Sequence, residues 1–238
     1  MVSTPAPHAA RAELAALVAD GGRWPSAWRH AVGRLDPERT RESAVLVLFG
    51  VLDDLPARTD AGTAPAVSAD LDVLLLARAT TLRSHAGQVA FPGGRIDPGD
   101  DGPVDAALRE AVEETGLDRE GVEVLGTLGP LPLPVSDHRV TPVLAWWEQP
   151  SPVRVVDVAE SAHVFRAPVA DLLAARNRRT AVVTRGARTF RSPAFVVDDR
   201  ANGVEHLVWG FTAGVLDALF DRLGWTEPWD ASRTVDPL

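Results

Sequence analysis

The stretch that most constrains this chain is FPGGRIDPGDDGPVDAALREAVEETGL, residues 91–117. A short apolar segment ends in two glycines, an acidic loop rich in Gly and Pro follows, and a helical pattern closes the stretch. Pro103 suits a first helical position, where the missing N–H has no intrahelical partner anyway. Asp100 and Asp101 lie at the positive end of the helix dipole. Gly116 stands where a helix stops. The punctuation predicts a helix over 103–115, with Val104, Ala107, Leu108, Ala111 and Val112 on its packing face. Glu110, Glu113 and Glu114 stand at i, i+3 and i+4 on the other face, their Cβ atoms about 5–6 Å apart. Arg109 is one turn from both Asp105 and Glu113.

Glutamates clustered in water repel each other by only about 0.2–0.5 kcal/mol per pair. A solvated helix face therefore explains REAVEE on its own. The neighbourhood argues for more. Gly93 and Gly94 permit a close backbone approach at a strand end, and the acidic loop returns the chain to the helix. Carbonyls and three carboxylates can then face one spot, the oxygen-rich environment that a hard cation such as Mg²⁺ takes. Net charge points the same way. At −9, with arginines scattered along the chain, the protein is a poor non-specific binder of nucleic acid. If it handles phosphate, a cation held by carboxylates must supply the neutralisation.

The 238 residues contain no cysteine, which excludes a disulfide framework, a Cys-ligated zinc and a thiol nucleophile. The start lacks the pattern of a signal peptide. The longest clearly apolar run, AVLVLFGVL at 44–52, is far shorter than the roughly 20 residues of a membrane span. A soluble, cytoplasmic protein without a membrane partner is expected.

Strands are expected at 44–52, 71–79 (LDVLLLARA), 87–91, 122–128, 139–147, 162–167, 179–185, 189–197 and 204–209. Helical patterns occupy 11–22, 26–33, 168–176 and 211–224. Residues 53–70 read as a polar loop. In GPLPLPVSDH (129–138) the prolines argue against regular pairing. The segment from Trp225 reads as a loose tail. Strands on both sides of a central helix argue for a layered α/β domain. Ser136, Asp137 and His138 are adjacent and cannot form a catalytic triad, and no GxSxG elbow is present. His85 reads as a loop hydrogen-bonder.

The segment resembles the Nudix box, G-x5-E-x7-R-E-U-x-E-E-x-G-U with U aliphatic. Here it runs Gly94, six residues, Asp101, seven residues, then Arg109 to Leu117. The second half matches closely. The first half has one extra residue and Asp for Glu, and Ala111 is smaller than the usual aliphatic. Upstream, LLLARATTLRSHAGQVAFPGG (74–94) is similar to the motif preceding the box in the Nudix subgroup that hydrolyses coenzyme A, L-L-T-x-R-S-x3-R-x3-G-x-V-x-F-P-G-G. Leu76 and Ala79 replace its Thr and Ser. VWGFTA (208–213) resembles the subgroup's WG-x-T-A segment.

The resemblance implies an α/β/α sandwich around a mixed sheet. The Nudix domain would span 44–223, with a helical extension at 1–43 and a tail at 224–238. It implies a divalent-cation-dependent pyrophosphohydrolase, with Mg²⁺ or Mn²⁺ held by Glu110, Glu113, Glu114 and the carbonyl of Gly93. The substrate would be coenzyme A or a derivative, giving 3′,5′-ADP and 4′-phosphopantetheine. Alternatives are a Nudix hydrolase of ADP-ribose, NADH or a dNTP, or a non-catalytic nucleotide-sensing module. Arg109 would hold the glutamates in place and Asp101 would support the loop. The general base is left open between Glu114 and a distal glutamate, with Glu160 the candidate. Arg78 and Arg83 would bind substrate phosphate beside Gly93 and Gly94. A homodimer is one assembly the resemblance allows.

Overall fold

The computed structural model describes residues 7–21, 24, 35–36, 38–51, 56–58, 66–79, 87–133 and 136–238. The helical pattern at 26–33, Arg83, His85 and most of the 53–70 loop lie outside these residues.

Helix α1 (Pro7–Ala19) leads to the long strand β1 (Arg41–Val51), then β2 (Leu71–Arg78), β3 (Val89–Ala90) and β4 (Gly93–Arg95). Helix α2 (Pro103–Thr115) follows, then β5 (Val122–Thr127), β6 (Leu131–Leu133), β7 (His138–Trp147) and β8 (Ser161–Pro168). Among the described residues these strands make one eight-stranded sheet with central order β3-β2-β1-β7-β5. The sheet is mixed. β1 and β7 run parallel in register from Arg41↔His138 to Phe49↔Trp146, whereas β2 and β4 pair antiparallel to β1. Strands covered on both faces read as continuous apolar runs rather than alternating ones, as do β2 and the largely buried part of β1 from 44 to 50.

Each face has its own core. Ala44, Leu46, Leu48, Leu74 and Val143 pack with Ala107, Leu108 and Ala111 of α2. The opposite face carries Val47, Phe49, Leu144 and Trp146, with Leu14 and Leu17 of α1. Layers of helix, sheet and helix result, as the resemblance implied. The chain adds a second sheet that the strand pattern alone did not separate. It contains β9 (Arg178–Arg185), β10 (Arg188–Asp199), β11 (Val204–Val208) and β12 (Thr234–Val235), in the order β11-β10-β9-β12. The short α3 (Val169–Leu173) precedes it, and α4 (Gly210–Leu223) packs on it through Phe220, whose ring meets Phe195 edge-on at 6.0 Å.

Two expectations change. The proline-rich stretch does pair: Leu131–Leu133 hydrogen-bonds to β7, with Pro132 opposite Arg139. Proline is tolerated there because the strand is a short edge piece. The segment from Trp225 is packed rather than loose. Trp225 is buried against Phe49 and Phe220 and donates its indole N–H to Glu13 at 2.6 Å. The guanidinium carbon of the buried Arg178 lies 4.6 Å from the ring centres of both Trp229 and Phe195. No described helix is long and apolar enough to cross a membrane.

Candidate active site

β4 and α2 build the site together. Ala44 of β1 is the register partner of Gly94, and Val45 that of Gly93. A Cβ on Gly94 would lie 2.5 Å from the carboxyl carbon of Glu110. The bare Cα therefore lets that carboxylate press on the strand. A Cβ on Gly93 would lie 2.6 Å from the Cα of Val45, so strand pairing itself requires glycine there. The Gly93 N–H donates to Glu114 Oε2 at 2.9 Å. Gly116 ends the helix in the left-handed region (φ 68°), its N–H returning to the Val112 carbonyl. The loop after β7 then crosses the helix end, with Arg154 N–H donating to the Thr115 carbonyl at 2.9 Å. That path delivers Glu160 to the edge of β2, where its carbonyl accepts from Ala79 N–H at 2.8 Å.

Arg109 ties the loop to the helix. Its Nε and Nη2 donate to the two oxygens of Asp100 at 2.9 and 3.0 Å. Nη1 reaches Glu110 and Glu113 at 3.1 Å each, and Nη2 also donates to the Arg95 carbonyl. The side chain of Asp100 is 4 % exposed. The forked bond from Arg109 holds its carboxyl down at about 2, as a charge-assisted bidentate pair should. Asp101, the residue singled out by counting, makes no such contact; its N–H goes to Asp105 at 3.4 Å. Five residues separate Gly94 from Asp100, so the extra residue of the box falls after the acidic position and not before it.

The carboxylates differ in setting. Burial, first, pushes Glu114 up to about 7; the Gly93 N–H and Arg78 pull it down, while Glu110 and Glu160 push it up. Burial also raises Glu110, against the bond from Arg109. Glu113 is 58 % exposed and turned to Arg109. Glu114 thus feels Glu110, Glu160 and Arg78 beside the two glycines. Arg78 ends β2, its Nε buried without a hydrogen-bond partner among the described residues. Glu160 is exposed beside it.

Hard oxygen donors pressed together at raised proton affinity fit a divalent cation, whose charge would relieve both the burial and the mutual repulsion. Among the described residues no three carboxylate or imidazole groups already converge as a finished cage. Glu110 and Glu114 are gathered at the strand, and Glu113 stays on Arg109.

A NUDIX domain matches residues 58–185, more than half of the chain and all of this site. The chain belongs to the Nudix hydrolase family. It is accordingly an enzyme, a pyrophosphatase acting on phosphorus anhydrides, of a family that generally uses divalent metal ions. It is similar to a Photorhabdus laumondii protein described as an uncharacterized Nudix hydrolase, NudL. The two are 37% identical over 151 residues, covering 63% of this chain and 76% of that protein. NudL of Escherichia coli K12, described in the same words, is 36% identical over 152 residues, covering 64% and 75%. Among solved structures, a MutT/nudix family protein from Enterococcus faecalis aligns with 83% of this chain and 67% of its own, at TM-score 0.45 and 18% identity.

Proposed function

We propose that this Nudix hydrolase cleaves the pyrophosphate of coenzyme A or its derivatives, releasing 3′,5′-ADP and 4′-phosphopantetheine or its acylated form, with Mg²⁺ or Mn²⁺. The observation that carries the reading is the segment at 74–94. Its residues run from Leu74 through Arg78 to Gly93 and Gly94, and Arg78 is close enough to Glu114 to lower its proton affinity. A forked cation beside buried carboxylates suits a substrate that brings phosphate oxygens to a metal site. Arg83 is proposed as a second phosphate contact on the motif alone.

Glu110 and Glu114 would hold the cation, with the Gly93 carbonyl and with Glu113 once it turns from Arg109. The bound ion would neutralise phosphate charge and lower the pKa of water. The protein's own parts do the rest. Gly93 N–H fixes the Glu114 carboxylate. Arg109, clamped by Asp100, sets the angle of Glu110 and holds Glu113 one bond away. Gly94, with no Cβ, lets the Glu110 carboxylate sit against the strand. Arg78 binds a non-bridging phosphate oxygen. Glu160, exposed and adjacent, accepts a proton from the attacking water. The oxygen of that water bonds to one phosphorus as the bridging P–O bond breaks, the bridging oxygen leaving with the other phosphorus, so that two phosphate monoesters result.

The purified enzyme should be offered coenzyme A, ADP-ribose, NADH and dNTPs with Mg²⁺ or Mn²⁺, and the products resolved. Coenzyme A is expected to turn over fastest. Much faster turnover of ADP-ribose or a dNTP would remove coenzyme A as the substrate.

A further inference from the structure

On the sheet face turned away from the glutamate helix, next to the same two glycines, lies a group of cations that the catalytic site does not use. Residues paired across neighbouring strands point to the same face, and residues two apart on one strand do so as well. Ala44 and Gly94 face the glutamates. Arg41 and Ser43 therefore face the other way, with Arg95, the partner of Ser43, and His138, the partner of Arg41.

The surrounding arginines are neutralised and these two are not. Arg39 reaches Asp137 at 3.8 Å and Arg139 pairs with Glu42 at 2.6 Å. Among the described residues neither Arg41 nor Arg95 has a carboxylate within 4.0 Å. Both are exposed. In a chain of net charge −9, these two arginines place positive charge with no carboxylate partner among the described residues next to the site. Their field converges on His138. Burial, then Arg41, then Arg95 push its ring below the ordinary histidine range, with Asp137 acting in the opposite sense. Ser136 Oγ stands 3.3 Å from Nδ1, and Nε2 is buried with no hydrogen-bond partner among the described residues.

We propose that Arg41, Arg95 and His138 form a second anion site, taking a phosphate monoester on the face opposite the glutamates. Two arginines offer forked donors to such a group, and His138 offers a ring nitrogen with no other use. Position supports it. Gly93 and Arg95 are two residues apart on β4, about 7 Å at the strand rise, and β4 pairs on one side only among the described residues. A ligand crossing that edge brings a pyrophosphate to Glu110 and Glu114 and a second phosphate to Arg95. Coenzyme A has this form, with a ribose separating the 5′-pyrophosphate from a 3′-phosphate. Assigning the monoester to that 3′-phosphate rests on the coenzyme A reading; the anion site itself does not.

The test is calorimetric titration of the Mg²⁺-loaded enzyme with adenosine 3′,5′-bisphosphate and with adenosine 5′-monophosphate. The bisphosphate should bind roughly 10–100-fold tighter, the worth of one or two charge-assisted bonds. R41A/R95A should abolish that advantage, and R41K/R95K should restore part of it. In the unaltered enzyme the bisphosphate should raise the His138 ring pKa, read by NMR, and the monophosphate should not. This readout decides the matter even if R41A/R95A fails to fold. Equal affinities, an advantage that survives R41A/R95A, or an unmoved His138 would overturn the site. If coenzyme A is not hydrolysed but the advantage holds, the substrate reading falls and the anion site stands. If coenzyme A is hydrolysed without the advantage, the reverse follows.

Discussion

Adding one methyl group at each of two neighbouring glycines should separate fold from function. At Gly94 the new Cβ would stand 2.5 Å from Glu110 Cδ and 2.7 Å from Oε2. Carbon atoms settle at about 3.5–4.0 Å, so the Glu110 carboxylate must retreat by on the order of 1 Å. It is the end of a flexible side chain and can do so, with a stability loss of about 1 kcal/mol, the low end of overpacking costs. A displacement of that size at a reacting centre costs roughly 100-fold in rate. At Gly93 the obstacle is different. The Cβ would stand 2.6 Å from Val45 Cα, with φ at 156°, and the backbone of a central strand cannot step aside. G93A should lose about 3 kcal/mol, the high end of the same range. Urea unfolding and steady-state kinetics on both variants provide the check. G94A should melt near the unaltered enzyme with kcat collapsed and weakened Mn²⁺ binding; G93A should be unstable. A stable G94A retaining kcat within about threefold would refute the placement of Glu110 as a ligand.

Other consequences are as direct. D100N should lose the forked bond to Arg109 and with it roughly 10-fold or more in kcat, as positioning losses run, whereas D101N should be nearly silent. Equal effects in the two would contradict the clamp. Below about 7 the Glu114 carboxyl keeps its proton in the metal-free enzyme and is a poor ligand, so Mn²⁺ affinity should rise from pH 6 to 8. Calorimetry showing a flat profile would count against Glu114. W225A removes a side chain that is 4 % exposed and should cost about 3–5 kcal/mol, measured by urea unfolding. A loss under 1 kcal/mol, roughly the surface range, would mean the tail is not docked.

Much of this was legible in the sequence because its signals were local. The helix at 103–115 carried its own punctuation, and the long strands announced themselves as apolar runs. What sequence reading missed depended on distance in space. Asp100 and Asp101 are the same residue type one position apart: counting back from Arg109 gives Asp101, counting forward from Gly94 gives Asp100, and the path of the loop shows that Asp100 meets Arg109. Glu160 is named by the resemblance and not by any local pattern; a loop that hydrogen-bonds across the helix end brings it to Glu114. The tail has neither helical nor strand period. It is held by Trp225 in the core and by Trp229 over a guanidinium, contacts whose partners lie far along the chain. Pro132 misled because a proline argues against a central strand and says little about a short edge strand.

On the proposed function, the carboxylates gathered at Gly93 and Gly94 serve the cleavage of coenzyme A. Chromatography of coenzyme A incubated with Mn²⁺ and either the unaltered enzyme or E114Q tests it most directly. The unaltered enzyme should yield 3′,5′-ADP and 4′-phosphopantetheine, and E114Q should lose roughly 100-fold or more of that rate, as removal of a group acting in the transition state does. Intact coenzyme A with the unaltered enzyme, or cleavage undiminished in E114Q, would contradict it.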